Sequence, residues 1–117
     1  MRSYFRSMNG WEALLEKVSF KLGRQATVDD ILLLIGIRES CHPARANITP
    51  SEKENLVKMA EQTILVPGRY YQLIWVEDNG WPHYQPINRP PAMTEEERES
   101  FLRPWILEYV EKNGMFK

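Results

Sequence analysis

The chain has 117 residues, of which 43% are hydrophobic and 26% charged, with a formal net charge of −1. That length suits one domain with its own core and leaves little room for a second. The 15 basic residues are scattered along the chain, which argues against a nucleic-acid partner, because binding phosphates calls for gathered positive charge.

Residues 1–8 carry no periodic pattern and read as an N-terminal extension. Asn9 is placed to open a helix, with Glu12 three residues on at capping-box spacing. Trp11, Leu14, Leu15, Val18 and Leu22 then recur at helical intervals as one apolar stripe. Gly23 falls where a left-handed cap ends such a helix. Phe20 lies off the stripe.

Thr27 and Asp30 repeat the opening device for the most apolar run in the chain, Ile31 to Ile37. Asp29 and Asp30 at its front and Arg38 at its back suit the helix dipole. Ile31, Leu34 and Ile35 share one side, and Leu32, Leu33 and Ile37 cover much of the rest. A helix apolar almost all round belongs inside a fold, so residues 28–39 are expected to form the central buried helix. Gly36 interrupts it at a cost of about 1 kcal/mol relative to alanine, which points to a close helix–helix approach.

Ser40 to Asn47 has loop chemistry, including Cys41-His42-Pro43. Thr49-Pro50-Ser51-Glu52 opens a third helix, with proline at the first helical position. Leu56, Met59, Ala60, Thr63 and Ile64 form its apolar face, and Pro67-Gly68 ends it.

From Tyr70 the period changes to that of a strand, and Asp78-Asn79-Gly80 is a hairpin turn signal. A two-residue Asn79-Gly80 turn would pair Trp75 with Tyr84 and Val76 with His83. Pro82 cannot donate to a ladder, so the return strand is short and at an edge. Pro86, Pro90 and Pro91 mark an extended connector. Thr94 and Glu97 open the last helix, whose core face is Phe101, Leu102, Trp105, Ile106, Tyr109 and Val110. Pro104 lies inside that stripe, as a kink in one helix rather than a boundary between two. Asn113-Gly114 closes it, leaving 115–117 as a tail.

The expected fold is therefore α+β and mostly α. One domain over 9–114 holds four helices around 28–39, with one hairpin at about 70–85. The run Asp30 to Glu39, the later Gly68-Arg69-Tyr70-Tyr71 and the Asp78-Asn79-Gly80-Trp81-Pro82-His83-Tyr84 stretch together resemble a family of short uncharacterised bacterial proteins. The resemblance covers most of the chain from about Met8 to the last helix. It implies an independent domain and carries no activity, cofactor or site residue.

The single cysteine, Cys41, cannot form an internal disulfide, which suits a reduced, cytoplasmic setting. Residues 31–37 fall far short of the roughly 20 needed to span a bilayer, so no membrane is expected. Cys41, His42 and His83 lack the spacing of a metal site. No nucleotide, zinc-hydrolase or nucleophile-elbow motif is present, so no catalytic residue, metal or cofactor is assigned, and the reading leans away from an enzyme. The hairpin packs Tyr70, Tyr71, Trp75, Trp81 and Tyr84 into fifteen residues, more rings than a small hairpin can hide. The leading expectation is a protein-interaction or regulatory module, self-association included. The alternative is a small-molecule pocket or enzyme site floored by Arg38 and Glu39. The candidate binding residues are Arg38, Glu39, Trp75, Trp81, His83 and Tyr84.

Overall fold

The computed structural model describes residues 10–40 and 47–116. The expected Asn9 cap, the 1–8 extension and the Cys41-His42-Pro43 loop lie outside the described residues. Among the described residues there are four helices and one hairpin, in the order α1 (Gly10–Leu22), α2 (Val28–Glu39), α3 (Pro50–Ile64), β1 (Tyr71–Val76), β2 (Pro82–Pro86) and α4 (Glu95–Asn113). The α+β, mostly α architecture is the one the periodicity predicts. No helix among the described residues is long and apolar enough to cross a membrane.

The helix ends follow local chemistry. Thr27, Thr49 and Thr94 each accept a hydrogen bond from the third amide of their helix. Asp30, Glu52 and Glu97 return the bond to the capping amide, so all three boxes are complete. Gly23 and Gly114 take the left-handed conformation after α1 and α4, with φ of 73° and 63°. Asp30 also receives Arg24 through both carboxylate oxygens, at 2.7 and 3.0 Å. That pairing holds its carboxyl down at about 2, against the opposing effect of burial.

The core is built from Trp11, Leu14 and Val18 of α1, from Ile31, Leu32 and Ile35 of α2, from Leu56, Met59, Ala60 and Ile64 of α3, and from Leu102, Ile106 and Val110 of α4. α2 and α3 share the most extensive contact between helices. A Cβ added at Gly36 would stand 2.5 Å from the carbonyl oxygen of Leu56, so glycine is what lets the two backbones touch. Arg98 of α4 ties three helices at one end, reaching Glu61 at 3.0 Å, Asp29 at 3.4 Å and Glu95 at 2.8 Å.

Several expectations need correcting. α2 is buried on one broad arc, and Leu33, Leu34 and Ile37 on the other side are only half-buried. Leu34 therefore does not join Ile31 and Ile35 inside. Leu22, assigned to the α1 stripe, is 39% exposed because α1 ends there, whereas Phe20, expected off the stripe, is 87% exposed in keeping with that placement. α3 ends at Ile64, and the chain makes a further turn before the hairpin. The left-handed residue of that turn is Arg69, with φ 65°, and Tyr70 N–H bonds back to the Leu65 carbonyl. Gly68 has a different role, since a Cβ there would stand 2.8 Å from the Trp105 ring. Met115 and Phe116, expected as tail, pack against the core, and Lys17 donates to the Phe116 carbonyl at 3.1 Å. As expected, α4 runs through Pro104 as a single helix.

These contacts rank the substitutions. Leu32→Ala should cost about 2–5 kcal/mol, and Leu34→Ala clearly less. Gly36→Ala should cost about 1–3 kcal/mol by overpacking, although helix propensity alone would make it stabilising by about 1 kcal/mol. Urea unfolding checks the order, and a stabilised Gly36→Ala protein would contradict the close approach.

Candidate functional site

The hairpin leaves the helical body through Gly68, Arg69 and Tyr70. The Tyr70 ring meets Phe101 and Trp105 edge-on, with centroids 5.5 and 6.3 Å away, so its base is anchored on α4. β1 and β2 pair antiparallel, with Tyr71 opposite Pro86, Leu73 opposite Tyr84, Trp75 opposite His83 and Val76 opposite Pro82.

This register differs from the expected one by two separate shifts. The turn is a three-residue loop, not two, because Glu77 N–H bonds the Trp81 carbonyl while Gly80 N–H bonds the Glu77 carbonyl. Asn79 is absent from the positive-φ residues and Gly80 has φ 96°, so a type I turn followed by a left-handed glycine replaces the tighter turn that would need both central residues at positive φ. The pairing then slips once more at Ile74, a β-bulge between Leu73 and Trp75. Trp75 thus faces His83, and Tyr84 faces Leu73.

The bulge sorts the rings onto two faces. Tyr84 turns to the helices, where its hydroxyl lies 2.7 Å from that of Thr63. With Leu73 it lines a cleft of about 280 Å³, completed by Ile64, Val66, Trp105 and Tyr109. Beyond the bulge the alternation is reset. Trp75 stacks on His83 on the outer face, with centroids 4.9 Å apart and planes 23° from parallel. His83 Nε2 lies 2.5 Å from Glu77, which fixes the imidazole under the indole.

Behind the cleft, Tyr109 donates its hydroxyl proton to Glu39 and accepts a hydrogen bond from Arg38 at 2.8 Å. The Arg38 guanidinium also stands over the Tyr109 ring, 5.7 Å from its centroid. Burial and the Glu39 carboxylate together push the Tyr109 phenol well above its ordinary pKa. Burial also raises Tyr84, with Thr63 acting against it.

The six residues singled out from sequence therefore do not converge. The Glu39 carboxylate acts on Tyr84 only as the least of the causes that raise its phenol. Arg38 and Glu39 back the cleft through Tyr109 and do not line it, which corrects the expected pocket floor. Trp75 and His83 form a separate outer pair. Trp81 is half-buried beside the turn, with its backbone N–H bonded to Asn79 Oδ1, and belongs to neither group. Tyr109, Thr63 and Trp105 were read as core face only. The signal was a tyrosine in an otherwise apolar stripe, whose hydroxyl must find a partner when buried.

β1 itself is open. Leu73, Ile74, Trp75 and Val76 are each about half exposed or more, with Ile74 at 57% and Trp75 at 59%. Among the described residues, no element other than β2 packs extensively against this strand. Among the described residues, no group of three or more His, Cys, Asp or Glu side chains is placed to hold a metal ion. Comparison of the chain with protein-family models, with curated proteins and with solved structures gives no match.

The raised phenols make a pH prediction. Because the folded pKa lies above the unfolded value, the stability from the neutral Tyr109 hydroxyl is whole below about pH 10 and falls as pH rises past it. An absorbance titration should show a late-ionising component that Tyr109→Phe removes. Ionisation of every tyrosine together near pH 10 would contradict the buried pairing with Glu39.

Proposed function

We propose that this chain is a protein-interaction module that docks partners on the outer side of its hairpin. The observation that carries this reading is β1: an uncharged, apolar strand that lies exposed along most of its length on a folded helical body. Soluble monomers rarely leave contiguous apolar patches of more than a few hundred Å² uncovered. Aromatic rings on a rigid support are common anchors of interfaces, and the bulge and the His83 stack hold Trp75 outward. The lone cysteine and the scattered bases support a cytoplasmic setting with a protein partner in preference to nucleic acid. The motif resemblance adds the reading of an independently folding domain.

A second reading is a small-molecule site in the cleft between α3, α4 and the hairpin. Its volume of about 280 Å³ lies just below the usual range of ligand pockets, about 300–1,000 Å³. Its hydroxyls are already engaged with Thr63, Glu39 and Arg38, so it offers a ligand less than the strand does a partner.

A photo-crosslinking residue at position 74 of the full chain should capture protein in cell extract. The same residue at position 58, on the wet face of α3, should not. The product at 74 should disappear with Trp75→Lys, while Trp75→Ala changes stability by under about 1 kcal/mol, as surface substitutions usually do. Equal capture at both positions, or a Trp75→Ala cost of about 3–5 kcal/mol, would contradict the docking role.

A further inference from the structure

Resting on that reading, we propose that the occupant of the β1 edge is β1 of a second copy of this chain, paired antiparallel about a twofold axis between Leu73 and Ile74. Three observations point to a copy of this chain.

The first is which edge is free. Glu77 N–H reaches the Trp81 carbonyl and Ile87 N–H reaches the Tyr70 carbonyl. By the alternation of an antiparallel ladder, Gln72 and Trp75 point their backbone groups at β2, and Tyr71, Leu73 and Val76 point theirs outward. On β2 the outward positions are Pro82, Tyr84 and Pro86, so two of its three edge donors are missing, and that strand also lies against α3. Proline is a common way to block an edge. The β1 edge carries no such block, and among the described residues its outer amides bond no other element.

The second is self-complementary charge. β1 has no ionisable side chain other than Tyr71 and is flanked by Arg69 at one end and by Glu77 and Asp78 at the other. Glu77 is taken by His83. Neither the Arg69 guanidinium nor the Asp78 carboxylate bonds a side chain or backbone group among the described residues. An antiparallel twofold pairing sets Arg69 of each copy beside Asp78 of the other, twice. Arg69 holds a left-handed conformation at the base of the strand, with φ 65°. The net charge of −1 puts little repulsion between copies.

The third is side-chain matching. The pairing sets the exposed Leu73 of each copy beside the exposed Ile74 of the other, and Val76 of each beside Tyr71 of the other, so apolar side chains open in one chain gain cross-strand neighbours. Each Ile74 sits next to the axis, and so near its own counterpart.

Light scattering on the pure full chain over a dilution series tests this. The expected mass is twice 13.8 kDa, falling to one chain on dilution. Ile74→Lys brings two like charges together at the axis and should leave a monomer with unchanged circular dichroism, whereas Phe20→Lys on α1 should still dimerise. Arg69→Asp alone and Asp78→Arg alone should each weaken dimerisation about tenfold or more, and the double swap should return it to within about threefold. If Ile74→Lys does not fold, the charge swap at the exposed strand ends decides alone. A dimer untouched by Ile74→Lys, or single losses that the double swap does not restore, overturns the pairing. A wild-type monomer throughout overturns the second copy. If position 74 then still captures another protein, the interaction reading stands, and if it captures nothing, both fall.

Discussion

The approach of α2 to α3 at Gly36 is the constraint on which the rest of this fold depends. A hydrogen in place of a methyl group lets the Leu56 carbonyl lie against the α2 backbone. With those two helices in contact, Ile31, Leu32, Ile35, Ala60 and Ile64 close into a single apolar layer. α1 and α4 cover that layer, and Arg98 joins α2, α3 and α4 at one end through Asp29, Glu61 and Glu95. The position of α3 then sets where the chain emerges after Leu65. A second close approach, of Gly68 to Trp105, directs it outward as the hairpin.

The hairpin contributes little to the core beyond Tyr70 and Tyr71, which pack against it partly buried. It is held by its base on α4 and by the Tyr84–Thr63 hydrogen bond to α3. An isolated two-stranded hairpin is marginal in water, so these anchors keep it folded while most of β1 stays uncovered. The bulge at Ile74 divides the labour between faces. Leu73 and Tyr84 go to the helices, and Trp75 goes to the outside with His83. Bulges commonly re-aim a side chain in this way. The polar network of Arg38, Glu39 and Tyr109 lies on the helix side, where its partners satisfy one another.

What the sequence made legible was local. The three capping boxes and the left-handed glycines after α1 and α4 depend on residues within a few positions of one another, and all are found. The role of Gly36 was also readable, because a glycine inside a strongly apolar helix weakens that helix unless a second backbone lies against it. The hairpin register was not. It depends on the backbone sign at Asn79 and on a bulge at Ile74, neither of which the residue types fix. Gly68 was assigned to a turn because of its type, while the left-handed position fell to Arg69. The packing of the Trp105 ring decided that, and no local pattern reveals it. The candidate site suffered similarly. Arg38, Glu39 and Tyr84 were legible as polar groups near rings, but Tyr109, the residue that joins Arg38 to Glu39, lies about 70 positions away on α4.

Most of β1 is folded on the helical body and exposed, and the proposed pairing makes its outward amides sensitive to concentration. Amide hydrogen exchange on the full chain, compared between dilute and concentrated samples, reads this most directly. At low concentration the outward amides of Tyr71, Leu73 and Val76 should exchange freely while those of Gln72 and Trp75, bonded to β2, are protected. Raising the concentration should slow the outward set and leave the α2 and α3 amides unchanged. Outward amides already protected at the lowest concentration, or exchanging freely at every concentration, would contradict the account.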